Sequence, residues 1–380
     1  MRLALYHPWV YLRSGVERWM VEVVTRSRHD WTVYTHHHEP EATYPEVAGL
    51  DVVQLAPQVS VRRSFGPLVH AAGTLARTRL PSSEGLLVSS EGLGDLVALR
   101  SRVPTAAYCH TPLKILHDPA ARGVVERQSL ARRAALGTIG PAFQAVDRRA
   151  WRQYGHVLVN STETLARVRD AGLRPSGPVE VLEPGVDAAW STYAPGSPRA
   201  PVLLCAGRVM WQKNLELAID AVRLLGGSAR LVIAGMVDEK SRPYLAALRA
   251  RAAGLPVAFE VAPSDERLRE LYATATALLF TPRNEDFGMV VLEAMAAGTP
   301  VLAVDAGGPR STVDHGRTGW LLPPEPEVWA AQLRQVLAAG PRLEAMRPAA
   351  VEAARLRTWD AHVTRLDDVM EQLAGRTPGS

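Results

Sequence analysis

Cysteine is nearly absent. Only Cys109 and Cys205 occur in 380 residues, so neither a disulfide framework nor a cysteine-based zinc site is available. Both fall on predicted strands, in different halves, and read as reduced core residues, which suits a cytoplasmic protein. Long apolar runs are missing too: no stretch approaches the roughly 18 consecutive residues that a membrane-spanning helix needs. The opening Met1-Arg2-Leu3-Ala4-Leu5-Tyr6-His7-Pro8 is broken too soon to read as a secretory signal. Lysine is scarce, with Lys114, Lys213 and Lys240 the only three among 43 basic residues. A lysine in this arginine-rich chain is therefore more informative than usual. His36, His37 and His38 are adjacent, and neighbours on an extended segment point to opposite sides. No acidic or histidine cluster at ligand spacing accompanies them. They read as a polar loop, and no metal is expected.

What remains is the composition of an ordinary globular chain, 47% hydrophobic and 22% charged. Its length favours two domains. Short apolar runs at Leu3–Tyr6, Trp31–Thr35, Val52–Leu55, Leu86–Ser89, Thr105–Tyr108 and Val157–Asn160 read as strands. Amphipathic stretches such as Val16–Thr25 and Thr162–Ala171 separate them. Residues 187–200, rich in Pro, Gly and Ser, have the composition of a linker. The pattern restarts at Val202–Ala206, Arg230–Ala234, Val257–Val261, Ala277–Phe280 and Val301–Val304. Strands alternating with helices imply α/β architecture: two Rossmann-like, doubly wound domains with parallel sheets. We expect domains at 1–186 and 201–357, facing each other across a cleft. Helical pattern resumes within 358–380.

The net charge is +4, unevenly placed. Between Arg122 and Arg152 seven arginines meet only Glu126 and Asp147. A solvated helix face accounts for this run, as does contact with an anionic membrane or a phosphorylated acceptor. Nucleic acid is not expected as a partner, because the segment has few aromatics to stack and no binding module is recognisable.

The stretch with the most chemistry is Asn284-Glu285-Asp286-Phe287-Gly288-Met289-Val290-Val291-Leu292-Glu293-Ala294-Met295-Ala296-Ala297-Gly298-Thr299-Pro300. It lies between two predicted strands and is closed by Gly298 and Pro300 in the manner of a helix end. Glu285 then sits on a strand-to-helix loop, and Glu293 about two turns into the helix. The N–H groups near Phe287, Gly288 and Met289 offer an anion site.

These residues resemble the signature of retaining glycosyltransferases of family 4, which have the GT-B fold. Further motifs carry the resemblance through most of the chain. Gly207-Arg208 followed by Lys213-Asn214 is similar to the family's basic pair on the donor diphosphate. Tyr108-Cys109-His110-Thr111-Pro112 is similar to its acceptor-side histidine motif. Asn160-Ser161 and Pro184-Gly185-Val186-Asp187 match further landmarks. Ser14-Gly15-Val16-Glu17-Arg18 stands where many members carry two adjacent glycines. Here only Gly15 is present, and a plain strand-to-helix turn explains it as well as a sugar contact does. Asp305-Ala306-Gly307-Gly308-Pro309, with Gly316 to Gly319, resembles the closing loop, yet Ser311 occupies a position where many relatives have glutamate.

The resemblance implies roles. Arg208 and Lys213 would stabilise the departing phosphate. Glu285 would hold hydroxyls of the donor sugar, and Glu293 the ribose. Val261 and its neighbours would wall the base, and Gly15 would approach the donor. Ser14, His110 and Thr111 would meet the acceptor, with His110 also on the transferred sugar. No cofactor and no metal are implied. The implied activity is retaining transfer of a sugar, with a lean to GDP-mannose, onto a saccharide, lipid-linked or natural-product hydroxyl. The cytoplasm, or the inner membrane face through the basic run, is the implied location. The alternatives are another nucleotide-sugar enzyme of the same shape, such as a hydrolysing epimerase, and a non-catalytic nucleotide-sugar binder.

Overall fold

The computed structural model describes residues 1–60, 65–118, 130–195, 199 and 201–375, without the side chains of residues 65, 130–136, 341 and 342. The chain divides into two compact units, Met1–Pro184 with Trp359–Ser380, and Gly185–Thr358.

In the first unit seven strands run in the order β3-β2-β1-β4-β5-β6-β7. They are β1 Arg2–Tyr6, β2 Asp30–Thr35, β3 Val52–Gln54, β4 Gly85–Ser90, β5 Thr105–Cys109, β6 His156–Val159 and β7 Val179–Val181. Every neighbouring pair is parallel. Parallel strands are covered on both faces, so the central ones read as continuous apolar runs. Accordingly β4, β5 and β6 are buried from end to end. The sequence pattern does not announce β7, because Val179-Glu180-Val181 is a short, half-exposed edge with a charge at its centre.

Six strands form the sheet of the second unit, in the order β10-β9-β8-β11-β12-β13. These are β8 Val202–Ala206, β9 Arg230–Gly235, β10 Val257–Val261, β11 Ala277–Phe280, β12 Val301–Val304 and β13 Gly319–Leu322. All pair in parallel. Another edge strand, β13, goes unannounced behind the Gly316–Gly319 turn.

In both sheets the order reverses beside the first strand of the unit. The chain leaves β1 for β2 and β3 on one side and returns to β4 on the other. The same happens at β8 and β11. Helices must cross to opposite faces there, which opens a crevice at the carboxyl ends of the two strands.

The helix Trp359–Gly375 belongs to the first unit. Its buried stripe includes His362, Val363, Leu366, Met370 and Leu373, at helical spacing. Its polar residues are engaged as well. Asp367 accepts from the hydroxyl of Ser27 (2.6 Å) and the backbone N–H of Arg28 (3.0 Å), and Arg365 forks onto Glu180.

The described residues of 187–200 pack on the second unit. The Trp190 ring meets Tyr272 edge-on at 5.6 Å. The Arg199 guanidinium donates to the carbonyls of Tyr272, Ala275 and Ala297 and to the Thr299 hydroxyl. Those carbonyls lie at the C-terminal ends of two helices, Asp265–Thr274 and Met289–Ala296, where the helix dipole favours a cation. Residues 196–198 and 200 lie outside the described residues, as do Arg122 and Arg127 of the basic run. Arg148, Arg149 and Arg152 are exposed.

The expectation of a polar histidine loop needs correction at its first member. His36 is fully buried, with Nδ1 2.8 Å from the Tyr6 hydroxyl and Nε2 3.2 Å from that of Thr78. The residue continues β2 into the core, where two hydroxyls satisfy its ring.

Candidate functional site

The crevice between β8 and β11 collects most of the residues singled out in the second unit. After β8, Gly207 takes a φ of 116°, a conformation open to glycine and costly for other residues. Its N–H bonds Ala234 O and the N–H of Val209 bonds Met236 O, so the chain hugs β9 before turning. A short 3-10 turn, Trp211–Lys213, follows, and Asn214 closes it in the left-handed region with φ 49°. Asparagine tolerates that conformation better than most residues. Thr281, just past β11, clamps the turn. Its hydroxyl donates to Lys213 O at 2.6 Å, and its carbonyl accepts from Asn214 Nδ2 at 3.2 Å. Lys213 therefore ends a tight turn, and the next helix begins at Glu216.

This clamp aims Lys213 at the loop after β11. Nζ lies 2.6 Å from Glu285 Oε2, with both side chains about one-fifth exposed (22% and 23%). The ammonium also stands 5.9 Å over the Phe280 ring. Arg208 is half-buried, and its guanidinium makes no ion pair or hydrogen bond with a described residue.

Glu285 is held from behind by a segment whose role the sequence left open. Gly308 N–H donates to Glu285 O at 3.0 Å. A Cβ on Gly308 would come within 2.3 Å of Phe287 Cα, so only glycine permits this approach. Gly307 and Gly308 thus form a backrest for the Glu285 loop. Phe287 turns its side chain into the core and is 3% exposed. Gly288, left-handed with φ 92°, precedes the helix Met289–Ala296 and supplies no side-chain cap. The first N–H groups of that helix have no intrahelical acceptor, which suits an anion.

Glu293 is held separately. The Tyr272 hydroxyl donates to its Oε2 at 2.8 Å from the neighbouring helix. Tyr272 is fully buried. No sequence signal marks it, since an aromatic on an amphipathic helix reads as core. Three large apolar side chains also stay exposed after adjacent strands: Trp211 past β8, Met236 past β9 and Val261 at the end of β10 (56%, 42% and 46%). Of these only Val261 was singled out from the sequence.

The remaining candidates lie in the first unit. Ser14 caps the helix Gly15–Arg26: its hydroxyl accepts from Val16 N–H and donates to the Glu17 carboxylate. Gly15 is the first residue of that helix. His110 follows β5, is 8% exposed, and has Nε2 3.1 Å from the Ser89 hydroxyl. The Trp19 and Tyr108 rings flank it at 5.0 and 4.9 Å. Burial, with His7 and His362 nearby, holds it well below the usual histidine range, so the ring is neutral. The Thr111 hydroxyl donates to Pro112 O at 3.2 Å. Among the described residues, no group of three or more His, Cys, Asp or Glu side chains is arranged to hold a metal ion. Nor is any described helix long and apolar enough to cross a membrane.

Two doubly wound parallel-sheet units define the GT-B fold class, and the second carries a lysine–glutamate pair and a helix start whose Gly288 gives no side-chain cap at its strand-order reversal. Comparison with solved structures agrees. Anabaena HepE, solved in complex with UDP, superposes with a TM-score of 0.74 at 18% identity, covering 98% of this chain and 100% of that one. Sucrose-phosphate synthase from Thermosynechococcus elongatus gives 0.75 at 18%, covering 99% and 100%. Residues 195–353 match the family model described as glycosyl transferases group 1. D-inositol 3-phosphate glycosyltransferase of Jonesia denitrificans is 34% identical over 51% of this chain and 51% of its own length. The chain thus spans about half of that relative. Alpha-1,3/1,6-mannosyltransferase ALG2 of Rhizomucor pusillus is 28% identical over 89% of this chain and 84% of that protein.

Proposed function

We propose that this chain moves a sugar from a nucleoside diphosphate donor to an acceptor hydroxyl, with retention at the anomeric carbon and without a metal. The observation that carries the reading is Lys213 Nζ held 2.6 Å from Glu285 Oε2 beside an uncapped helix start. In this reading the bond between the anomeric carbon and the phosphate oxygen breaks while a bond to the acceptor oxygen forms on the same face. The acceptor proton passes to the departing phosphate. Negative charge grows on that phosphate, and Lys213, Arg208 and the N–H groups at Met289 and Val290 offset it. Preorganised charges of this kind are often the largest catalytic contribution.

Glu285, freed from Lys213 by the incoming phosphate, would take donor sugar hydroxyls. Glu293, oriented by Tyr272, would take the ribose. Trp211, Met236 and Val261 offer apolar surface to a base. A mannose donor is supported by the likeness to ALG2, whose name describes a mannosyltransferase, and we extend that to GDP-mannose. The acceptor is a saccharide, lipid-linked or small-molecule hydroxyl. The exposed Arg148, Arg149 and Arg152 support a peripheral contact with anionic lipid.

Incubation with radiolabelled GDP-mannose, UDP-glucose, ADP-glucose and dTDP-glucose, against a panel of saccharide and lipid-linked acceptors, tests the reading. Sugar transferred with the anomeric configuration kept, in the presence of EDTA, supports it. Epimerised donor, or donor bound with nothing released, overturns it. Loss of activity in EDTA that magnesium or manganese restores overturns the metal-free part.

A further inference from the structure

The strand-order reversal of the first unit holds a buried polar cluster around His110 whose other members have no role so far. β1 and β4 flank this reversal, and their register pairs Tyr6 with Val88. One residue further, His7 stands level with Ser89. Ser89 in turn pairs with Tyr108 of β5, and side chains at one level of the pleat share a face. The contacts agree: the Ser89 hydroxyl reaches His110 Nε2 at 3.1 Å, and Trp19 stacks on Tyr108 at 4.4 Å. So His7, Ser89, Tyr108 and His110 line one face at the carboxyl end of the sheet, under the helix Gly15–Arg26. That helix contributes Glu17, which is 2% exposed and accepts from Ser14 and from the Leu12 N–H.

One atom in this cluster is unsatisfied. His7 is 2% exposed, and its Nδ1 is buried without a hydrogen-bond partner. Leaving a buried ring nitrogen unpaired is costly, and such an atom calls for an explanation. The His7 backbone N–H donates to Tyr34 O at 3.0 Å, and the orphan is a side-chain atom.

We propose that His7 is a hydroxyl-binding residue, its Nδ1 engaging a hydroxyl of an uncharged polyol seated beside His110 in the β1/β4 crevice. The inference rests on the sugar-transfer reading and adds a residue and a ligand class to the part of the substrate that the first unit holds. Charge selects that class. Glu17 has His7 and Glu91 as electrostatic neighbours, and His110 has His7 and His362, with no lysine or arginine in either set. A phosphate or carboxylate at His7 would meet the buried Glu17. A neutral imidazole offers one donor and one acceptor, the complement of a hydroxyl.

The test is nuclear magnetic resonance on the full chain with nitrogen-labelled histidines, following the imidazole signals. Methyl α-D-mannopyranoside, myo-inositol and inorganic phosphate are the probes. One of the two polyols moves the His7 and His110 signals along a single saturable curve, and phosphate moves neither. His7→Leu weakens that polyol about tenfold, the order set by one lost hydrogen bond, and His7→Asn restores part of the affinity. No shift at His7 with either polyol at its highest soluble concentration overturns the proposal, as does a shift with phosphate. Unchanged polyol affinity in both His7 variants does the same. Binding of free GDP and UDP to wild type and Lys213→Ala is measured on the same samples. If those two bind alike, the diphosphate reading fails by itself, and the histidine result stands apart from it.

Discussion

The Trp19 indole N–H donates to Nε2 of His362 at 2.9 Å, joining the first helix of the chain to the last. The other ring nitrogen, Nδ1, donates to the Glu183 carbonyl at 2.8 Å. The imidazole is therefore a neutral Nδ1–H tautomer, satisfied on both sides and buried. Burial pushes its pKa down to about 4. Between pH 6.5 and 4 the unfolded chain binds the proton and the folded chain does not, so stability rises with pH through that window. The contribution is complete above pH 6.5 and lost toward pH 4, about 3 kcal/mol in all. His362→Leu should flatten this response. It should also cost about 2–4 kcal/mol at pH 7, by stranding the Trp19 donor and the Glu183 carbonyl. Urea midpoints of both proteins at pH 7 and pH 4.5 check it, and an equal pH slope in the two rules His362 out as the source.

Lys213→Ala and Arg208→Ala should each cut turnover by about two to three powers of ten while the fold persists. The clamp on the Lys213 turn uses the Thr281 hydroxyl and carbonyl, the Lys213 carbonyl and the Asn214 amide, so deleting the ammonium leaves the turn intact. Initial rates at matched donor concentration, beside circular dichroism, decide it. Near-normal rates in either variant remove that cation from the diphosphate site.

The two glutamates should separate kinetically. Glu285 pairs with Lys213 and sits on the loop proposed to hold the donor sugar, so Glu285→Gln should lower kcat strongly and leave free diphosphate binding near normal. Glu293→Gln should weaken the free nucleoside diphosphate by about 1–2 kcal/mol. Tyr272→Phe frees Glu293 from its donor and should weaken the same ligand by about 1 kcal/mol. Calorimetric titration with GDP and UDP reads all three. If Glu285→Gln loses the nucleotide while Glu293→Gln keeps it, the assigned roles are reversed.

Arg199→Met should destabilise the second unit by about 3 kcal/mol. The guanidinium gathers carbonyls from the ends of two helices, and methionine keeps the apolar stem without the donors. The second of those helices carries Glu293 and begins at the proposed phosphate site, so nucleotide affinity should fall with it. A denaturation midpoint equal to wild type would show that solvent can serve those carbonyls as well.

The parallel architecture was legible because central strands such as Ala277–Phe280 and Val301–Val304 are apolar on both faces. Val179–Val181 and Gly319–Leu322 were not. The first is a short, half-exposed edge and the second a short, largely buried edge that opens on a glycine, and neighbouring strands rather than local pattern make each a strand. In the site, Lys213 and Glu285 stood out through spacing and scarcity. Tyr272, Trp211 and His7 did not, since what marks them is a partner, an exposure and an orphaned atom, all properties of the folded chain. His36 misled for the same reason: its two hydroxyl partners, Tyr6 and Thr78, are remote in sequence.

The helix Trp359–Gly375 also sets when the first unit can close during synthesis. The sheet of the first unit leaves the ribosome before His362, which meets Trp19 and Tyr108, because His362 and its apolar stripe follow the whole of the second unit in sequence. Residues Gly185–Thr358 are contiguous and entire by then. The second unit can thus mature while the first waits as an open intermediate with an exposed aromatic face. A stop codon inside Trp359–Gly375 would leave that face permanently wet, a natural target for chaperones and quality-control proteases.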